Sequence, residues 1–380
     1  MRPGVAWERI ASGVVYRQFD VTGLKGPARV HLLSVDLRDP RVAVDLLYPG
    51  AVGARAAVSV LADARGAVAG VNGDFFNITE TQHPGVEATG APVGPAIAHG
   101  RALKSAVPDG QRFGPALPPG TTARAVIGVG SDRRARMDTL SLAGSVTAGA
   151  RGTADTTRLP LGGLNQYALP VGAIGAFTPE WGTTSRVRAT CGTDTQRAAP
   201  CSADTYEVTV RGGRVVSVAN TPGAGAIPDG NEVLVGREAG ARALRELAPG
   251  DRVRISHRLV AGTRHVPYRF AVGGLPVLAR GVPVAGLDRV TAAVRTAAGI
   301  ADGGRRLLLL ALDGAPEFRT GLTLAEVAGV LDDLGATDGV SLDGGGSSTL
   351  VAGRARLTVL NHPSEGAERP VPNGIGVFVR

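Results

Sequence analysis

The sequence predicts an α+β protein: a mixed β-sheet core with one parallel strand–helix–strand unit, elaborated by a β-rich insertion. Three observations carry this expectation. Arg306-Leu307-Leu308-Leu309-Leu310-Ala311-Leu312 is a continuous apolar run, the pattern of a strand buried on both faces. Thr323-Leu324-Ala325-Glu326 has the form of a capping box, and Leu324, Val327, Ala328, Leu331 and Leu334 follow at helical spacing, with Gly335 suited to C′. Gly339-Val340-Ser341-Leu342 then reads as a second strand end. If the two strands are neighbours, they are parallel and joined by a right-handed crossover. Asp313 and Asp343 then leave one carboxyl edge, where open α/β sheets bind ligands. Adjacent strands lie ~4.8 Å apart, so both carboxylates would face one substrate or one cation.

The stretch that closes this unit, Leu342-Asp343-Gly344-Gly345-Gly346-Ser347-Ser348-Thr349, combines a carboxylate, three glycines and three hydroxyls. Consecutive glycines cost folding entropy and suit left-handed backbone or close approach of a ligand. Two readings fit: a tight turn in a chain with 55 glycines, or a concave nest of amide N–H groups that takes an anion.

In chain order, residues 1–27 are irregular. Val30 to Leu37 and Val42 to Leu47 read as a hairpin across Arg38-Asp39-Pro40. A short helix over Val58 to Arg65 ends at Gly66, and Val68 to Val71 is a strand that delivers Asn72-Gly73-Asp74. The loop from Thr79 to Pro95 carries His83 and Glu87, which could overhang a pocket. Pro95 to Leu103 reads as strand, turn, strand. Ala125 to Ile174 alternates short apolar stretches with turns. Thr205 to Val210 and Arg214 to Val218 flank a glycine hairpin turn, Gly212-Gly213. A helix is expected over Arg237 to Leu247 and a strand over Val253 to Val260. The domain reading is a core formed by 1–114 and 261–380, with 115–260 as the β-rich insertion that shapes substrate selection.

Composition narrows the function. With 43% hydrophobic and 19% charged residues the chain is globular rather than disordered. The net charge of +8 is almost all arginine, since only Lys25 and Lys104 are lysines. The arginines are scattered and aromatics are only 4%, which argues against nucleic acid as partner and leaves anionic substrates or polymers. No apolar run approaches the ~20 residues of a membrane span. Cys191 and Cys201 flank a polar loop, which favours a disulfide over free thiols; no Cys or His stands beside them to complete a metal site. A disulfide implies export, and Met1-Arg2-Pro3-Gly4 lacks a signal's apolar core, so the expectation is a secreted protein whose leader has been removed.

Several motifs in order resemble the phosphodiester glycosidase family, typified by the lysosomal enzyme that uncovers mannose 6-phosphate by removing N-acetylglucosamine. They are Asn72-Gly73-Asp74-Phe75-Phe76, Ala271-Val272-Gly273-Gly274, Arg295-Thr296-Ala297, Leu312-Asp313-Gly314, Gly321-Leu322-Thr323-Leu324, Asp343 to Ser348, and Arg369-Pro370-Val371-Pro372-Asn373. The resemblance is strong over 266–380, moderate over 28–105, and weak or absent over 115–260. It implies a hydrolase acting on the C–O bond of a sugar-1-phosphodiester from an extracellular or cell-wall glycan. It also implies a site: Asp343, Asp313 and Glu368 as catalytic carboxylates, with Asn72, Arg295, Thr296, Gly344, Gly345, Gly346, Ser347, Ser348, Arg369 and Asn373 binding substrate and phosphate. Asp74 stands where the family usually has glycine, and either adds a carboxylate to the pocket or satisfies the turn. A carboxylate pair is the usual equipment for glycoside hydrolysis. The same carboxylates could instead hold Ca²⁺ or Mg²⁺. That leaves two alternatives, a metal-dependent phosphodiesterase that breaks P–O, and a non-catalytic glycan-binding module.

Overall fold

The Arg306–Leu312 run forms a strand buried from Leu307 onward. Its ladder partners are Gly26–Asp36 and Thr296–Ala301, both antiparallel. Asp338–Ser341 pairs with the other side of Thr296–Ala301, again antiparallel. Arg306–Leu312 and Asp338–Ser341 therefore run the same way but are not neighbours. This corrects the expected α+β class with its parallel strand–helix–strand core. The computed structural model describes residues 7–149, 156–263, 266–353 and 356–380. It is 42% strand and 11% helix, built from antiparallel sheets. Among the named ladders one is parallel, a two-residue pairing of Gly163–Leu164 with Ile174–Phe177.

The misleading signal has a physical cause, because burial on both faces does not require parallel neighbours. Helix Leu324–Asp333 covers one face of this eight-stranded sheet, with Leu331 seated over Gly299 and Gly339. A Cβ at Gly299 or Gly339 would come within 2.9 or 2.6 Å of that leucine, so only glycine lets the helix sit so close. Strand side chains also join Val71, Leu350, Ile375 and Val377 of a second sheet in one core. An antiparallel strand covered on both sides becomes as apolar as a parallel one.

The second, five-stranded sheet runs Thr358–Val359, Leu350–Ala352, Ala69–Asn72, Gly374–Val379, Val42–Leu47. The expected hairpin of Val30–Leu37 with Val42–Leu47 does not form: Gly26–Asp36 lies in the first sheet and Val42–Leu47 in the second. Residues 7–27 are more regular than expected, since Glu8–Ala11 and Val14–Gly23 extend the first sheet. Helix Val58–Arg65 forms where its pattern placed it, ending on Gly66 in the left-handed region at φ 65°.

Two further sheets complete the molecule. A seven-stranded one contains Ala96–Ala98, Arg101–Lys104, Ala125–Gly130, Ala135–Gly149, Thr156–Pro160, Val253–Ala261 and Tyr268–Gly273. A five-stranded one includes the Thr205–Arg211 and Arg214–Ala219 hairpin, whose Gly212 and Gly213 both have positive φ as a type I′ turn requires. The helix expected over Arg237 to Leu247 is shorter, Ala239–Leu244. Residues 150–155 of the Ala125 to Ile174 stretch, and the leader reading at Met1 to Gly4, lie outside the described residues. Among the described residues no helix is long and apolar enough to cross a membrane. Cys191 and Cys201 are disulfide-bonded, at an S–S distance of 1.99 Å.

The capping box is present as read. Thr323 accepts from the Glu326 N–H, and the Glu326 carboxylate takes the Thr323 N–H at 2.8 Å. Thr323→Ala should cost about 1 kcal/mol of unfolding free energy, read from the urea midpoint at unchanged m-value.

Candidate functional site

Ends of six strands meet at one place. Arg295, Asp313 and Asp343 flank the strands Thr296–Ala301, Arg306–Leu312 and Asp338–Ser341 of the first sheet. Asn72, Thr349 and Asn373 stand at the corresponding ends of Ala69–Asn72, Leu350–Ala352 and Gly374–Val379 in the second. The register fixes this junction: Thr296 lies opposite Ala311, Ala297 opposite Ser341, and Gly374 opposite Asn72.

Asn72 joins the two sheets. Its Nδ2 donates to the Asp343 carbonyl at 2.7 Å, and its Oδ1 accepts from the Thr349 N–H at 3.0 Å and the Thr296 hydroxyl at 2.7 Å. Ser348 Oγ lies 3.1 Å from the same Thr296 hydroxyl. Asn373 repeats the device one residue on: its Oδ1 accepts from the Asp74 N–H at 2.9 Å, and its carbonyl takes the Gly73 N–H. A Cβ on Gly73 would lie 2.3 Å from Asn373 Oδ1, which is why this turn needs glycine.

Two carboxylates are held here against their preference for water. Asp343 is half-buried, and desolvation pushes its pKa up to about 6. The Ser347 hydroxyl, the Gly344 N–H and the charge of Arg369 oppose that rise, while nearby Asp74 adds to it. Asp74 is buried and raised by the same cause; its Oδ2 accepts the Gly94 N–H and packs where a Cβ at Gly273 would be 2.4 Å away. The largest opposing influence on Asp74 is Lys104, fully buried, whose Nζ donates to the Val93, Gly94 and Ser105 carbonyls. Three acceptors around one nitrogen suit an ammonium, whose charge opposes the rise at Asp74, while burial lowers the Lys104 pKa to about 7.

Arginines flank the carboxylates. Arg295 is buried, which lowers its pKa, and it donates to the Thr291 and Leu322 carbonyls at 2.9 and 3.3 Å. Asp343 and Asp288 counter that lowering. Arg369 reaches Ser347 Oγ at 3.4 Å and pairs with Glu365. The glycine turn between them differs from a three-amide nest. The Gly344 N–H donates to the Asp343 carboxylate at 3.0 Å and the Gly345 N–H to the Val294 carbonyl at 2.8 Å. Of the three, the Gly346 amide alone has no acceptor among the described residues. Gly345 has φ 59°, and a Cβ at Gly346 would collide with Arg369 and Glu365 at 2.4 Å.

Asp313 sits at the same edge but one strand further on, so it is ~10 Å across the sheet from Asp343 rather than beside it. Burial would raise its pKa. The Ala315 N–H at 2.8 Å, His31 at 2.9 Å and the His362 N–H at 3.3 Å outweigh that and hold it below the usual range. His31 in turn meets the Tyr16 hydroxyl at 2.8 Å. Burial lowers the His31 pKa against the pull of Asp313, which favours a neutral ring. The sequence reading missed His31, Tyr16 and Lys104. Their signal was a polar side chain inside an apolar strand pattern, which has no meaning until a partner is known.

Glu368 is not brought to the carboxylates. Its oxygens take the N–H and hydroxyl of Ser59 in the first turn of helix Val58–Arg65. Glu87 is exposed, while His83 is buried between Glu80 and the Ala199 carbonyl. Among the described residues, the grouping of three potential metal ligands within 4.8 Å is His83, Cys191 and Cys201, and there the two sulfurs are bonded to each other.

The structure thus defines a predominantly β protein in which carboxylates and arginines gather at strand ends where two sheets meet. Residues 204–378 match the family described as phosphodiester glycosidase. A hypothetical protein from Synechocystis aligns at 22% identity and a TM-score of 0.74, covering 100% of this chain and 64% of that one. The chain thus spans less than two thirds of that protein. A candidate exported protein of Burkholderia pseudomallei K96243 aligns at 25% identity and a TM-score of 0.68, covering 93% and 74%. The catalytic domain of zebrafish N-acetylglucosamine-1-phosphodiester alpha-N-acetylglucosaminidase, auto-inhibited by its pro-peptide, aligns at 16% identity and a TM-score of 0.45, covering 99% and 88%. No curated protein matches the sequence.

Two outcomes follow from this geometry. Asn72→Ala strips partners from the Thr296 hydroxyl, the Thr349 N–H and the Asp343 carbonyl; at ~1–3 kcal/mol for each buried group left unpaired, it should lower Tm by several degrees. Asp343→Asn should behave oppositely. A carboxylate whose folded pKa is raised contributes stability below its unfolded pKa near 4, and loses it as pH rises through about 6. The variant should therefore gain stability over the wild type between pH 4 and pH 7, read as a Tm difference that widens with pH.

Proposed function

We propose that the protein is a hydrolase that cleaves the glycosidic C–O bond of a sugar-1-phosphodiester. The observation that carries this reading is the half-buried Asp343 at a strand end, its pKa raised by desolvation, with the buried Asp74, Arg295 and Arg369 close enough to act on its charge. A departing phosphate is already a stable anion, so the demand on the protein is to hold its charge. Arg369, Arg295 and the uncommitted Gly346 amide would do so, the guanidinium fork matching phosphate geometry. Asp343, ionising near pH 6, would act at the anomeric carbon as general base to water. Desolvation keeps Asp343 high in pKa, and Asp74 adds to that. Asp313, with both oxygens engaged, is a positioning residue that ties the loop carrying His362 and Arg369 to the sheet edge. Thr296, Ser347, Ser348, Asn72 and Asn373 would hold the turn in shape around the substrate. The disulfide supports export, since such bonds are rare in reducing compartments, and an extracellular or cell-wall glycan is the substrate in keeping with it.

Hydrolysis of an N-acetylglucosamine-1-phosphodiester such as a nucleotide sugar, run in ¹⁸O-labelled water, tests the reading. Label on the sugar is expected; label on the phosphate would mean P–O cleavage and transfer the carboxylates to a metal-assisted phosphodiesterase. Asp343→Asn should lower kcat by about 10²–10⁴-fold with an unchanged circular dichroism spectrum. In the wild type, kcat/KM should rise with pH through an acid limb near 6 as Asp343 ionises; a limb near pH 4 would remove Asp343 from the base role.

A further inference from the structure

Away from the cleft, the outer face of the seven-stranded sheet carries arginines that the proposed chemistry does not use. Val253–Ala261 alternates: Val253 and Ile255 join an apolar cluster, while Arg254, Ser256 and Arg258 are exposed. The register sets Arg254 and Arg158 on either side of Thr147. Residues directly opposite each other on neighbouring strands project from the same face, so all three share the outer one. Arg252, two residues before Arg254, shares it as well, and it bridges to Arg214 on the adjoining hairpin. Thr147, Thr156, Arg214, Arg252 and Arg254 line an open groove of about 490 Å³, with Gly149, Gly212 and Gly213 adding only backbone.

The chain pairs many of its other exposed arginines. Arg242 and Arg245 meet Asp204, Arg306 meets Asp302, and Arg38 meets Asp36. On this face, among the described residues, Arg158, Arg252, Arg254 and Arg258 have no carboxylate partner and Arg214 donates only to the Gly250 carbonyl. The nearby carboxylate, Asp251, accepts from the Ala248 N–H. Like charges on neighbouring strands destabilise a sheet, and an anionic ligand would relieve that. Guanidinium forks suit phosphate, and the groove is lined by no aromatic side chain on which bases could stack.

We propose that this face docks a polyanionic glycan, a polymer whose repeats are joined through sugar-1-phosphodiesters, by its phosphates. The inference rests on the function proposed for the cleft and names its substrate class. The test is binding of poly(N-acetylglucosamine 1-phosphate) to the full chain at several salt concentrations. The wild type should bind with an affinity that falls steeply with salt, by ~0.7 log units per log of salt for each phosphate contacted. Combining Arg158→Ser, Arg252→Ser and Arg254→Ser should weaken binding at least about tenfold and flatten that slope by ~2, with Tm and hydrolysis of a small nucleotide sugar unchanged. No binding by the wild type, equal binding by the triple variant, or equal binding of single-stranded DNA of matched charge would overturn the proposal. Because the readout is binding, a failure to turn over the small diester would count against the hydrolase reading alone.

Discussion

The structure depends on the Asn72 side chain. An amide has one acceptor and one donor end, and here both are spent on groups from different segments: the Asp343 carbonyl on one, the Thr349 N–H and Thr296 hydroxyl on the other. Together with the Asp343 N–H on the Gly73 carbonyl and with Asn361 between Leu312 and Leu350, it locks the two sheets in register at their ends. Everything placed at that junction, from Arg295 to the glycine turn, inherits its position from this brace. Buried amides are effective in this role because leaving either end unpaired is costly, so alternative registers are excluded as well as the native one favoured.

The same junction explains how carboxylates can be kept out of water. Asp74 is tolerable because Lys104 and the Gly94 N–H face it, and Lys104 is tolerable because three carbonyls surround its nitrogen. Asp343 has the Ser347 hydroxyl, the Gly344 N–H and Arg369 nearby, too little to cancel its desolvation. That imbalance leaves its protonation poised near neutrality. Asp313 shows the other limit: with three donors on its oxygens it stays an anion and serves as an anchor. Aspartates near one edge thus acquire different chemical characters from the balance of desolvation, nearby charge and hydrogen bonds: Asp343 and Asp74 are raised, Asp313 is lowered.

Arginine is used in several ways along this chain. Arg188 is fully buried against Glu80 and Gln111, and Arg186 against Glu207, where they tie loops into the core. Arg295 and Arg369 border the cleft. A third set, on a sheet face, has no carboxylate partner among the described residues. Composition reports only the balance of all the charged residues, a net charge of +8.

What the sequence by itself determined was local. The helix Val58–Arg65 with its left-handed glycine cap, the capping box at Thr323, the Gly212-Gly213 hairpin, the strand at Arg306–Leu312 and the Cys191–Cys201 pairing all follow from preferences that act within a few residues or a short loop. The motif residues Asn72, Arg295, Asp343 and Asn373 were legible for a similar reason, since turn chemistry and resemblance both act on short stretches. Tertiary structure decided what depends on partners distant in sequence. It put Thr296–Ala301 between the two strands assumed to be neighbours, because an apolar run records burial and not the direction of the strand beside it. It also sent Glu368 to Ser59, engaged Asp313 with His31, and gave Asp74 a lysine 30 residues away, because a carboxylate's role is set by which donors reach it through space.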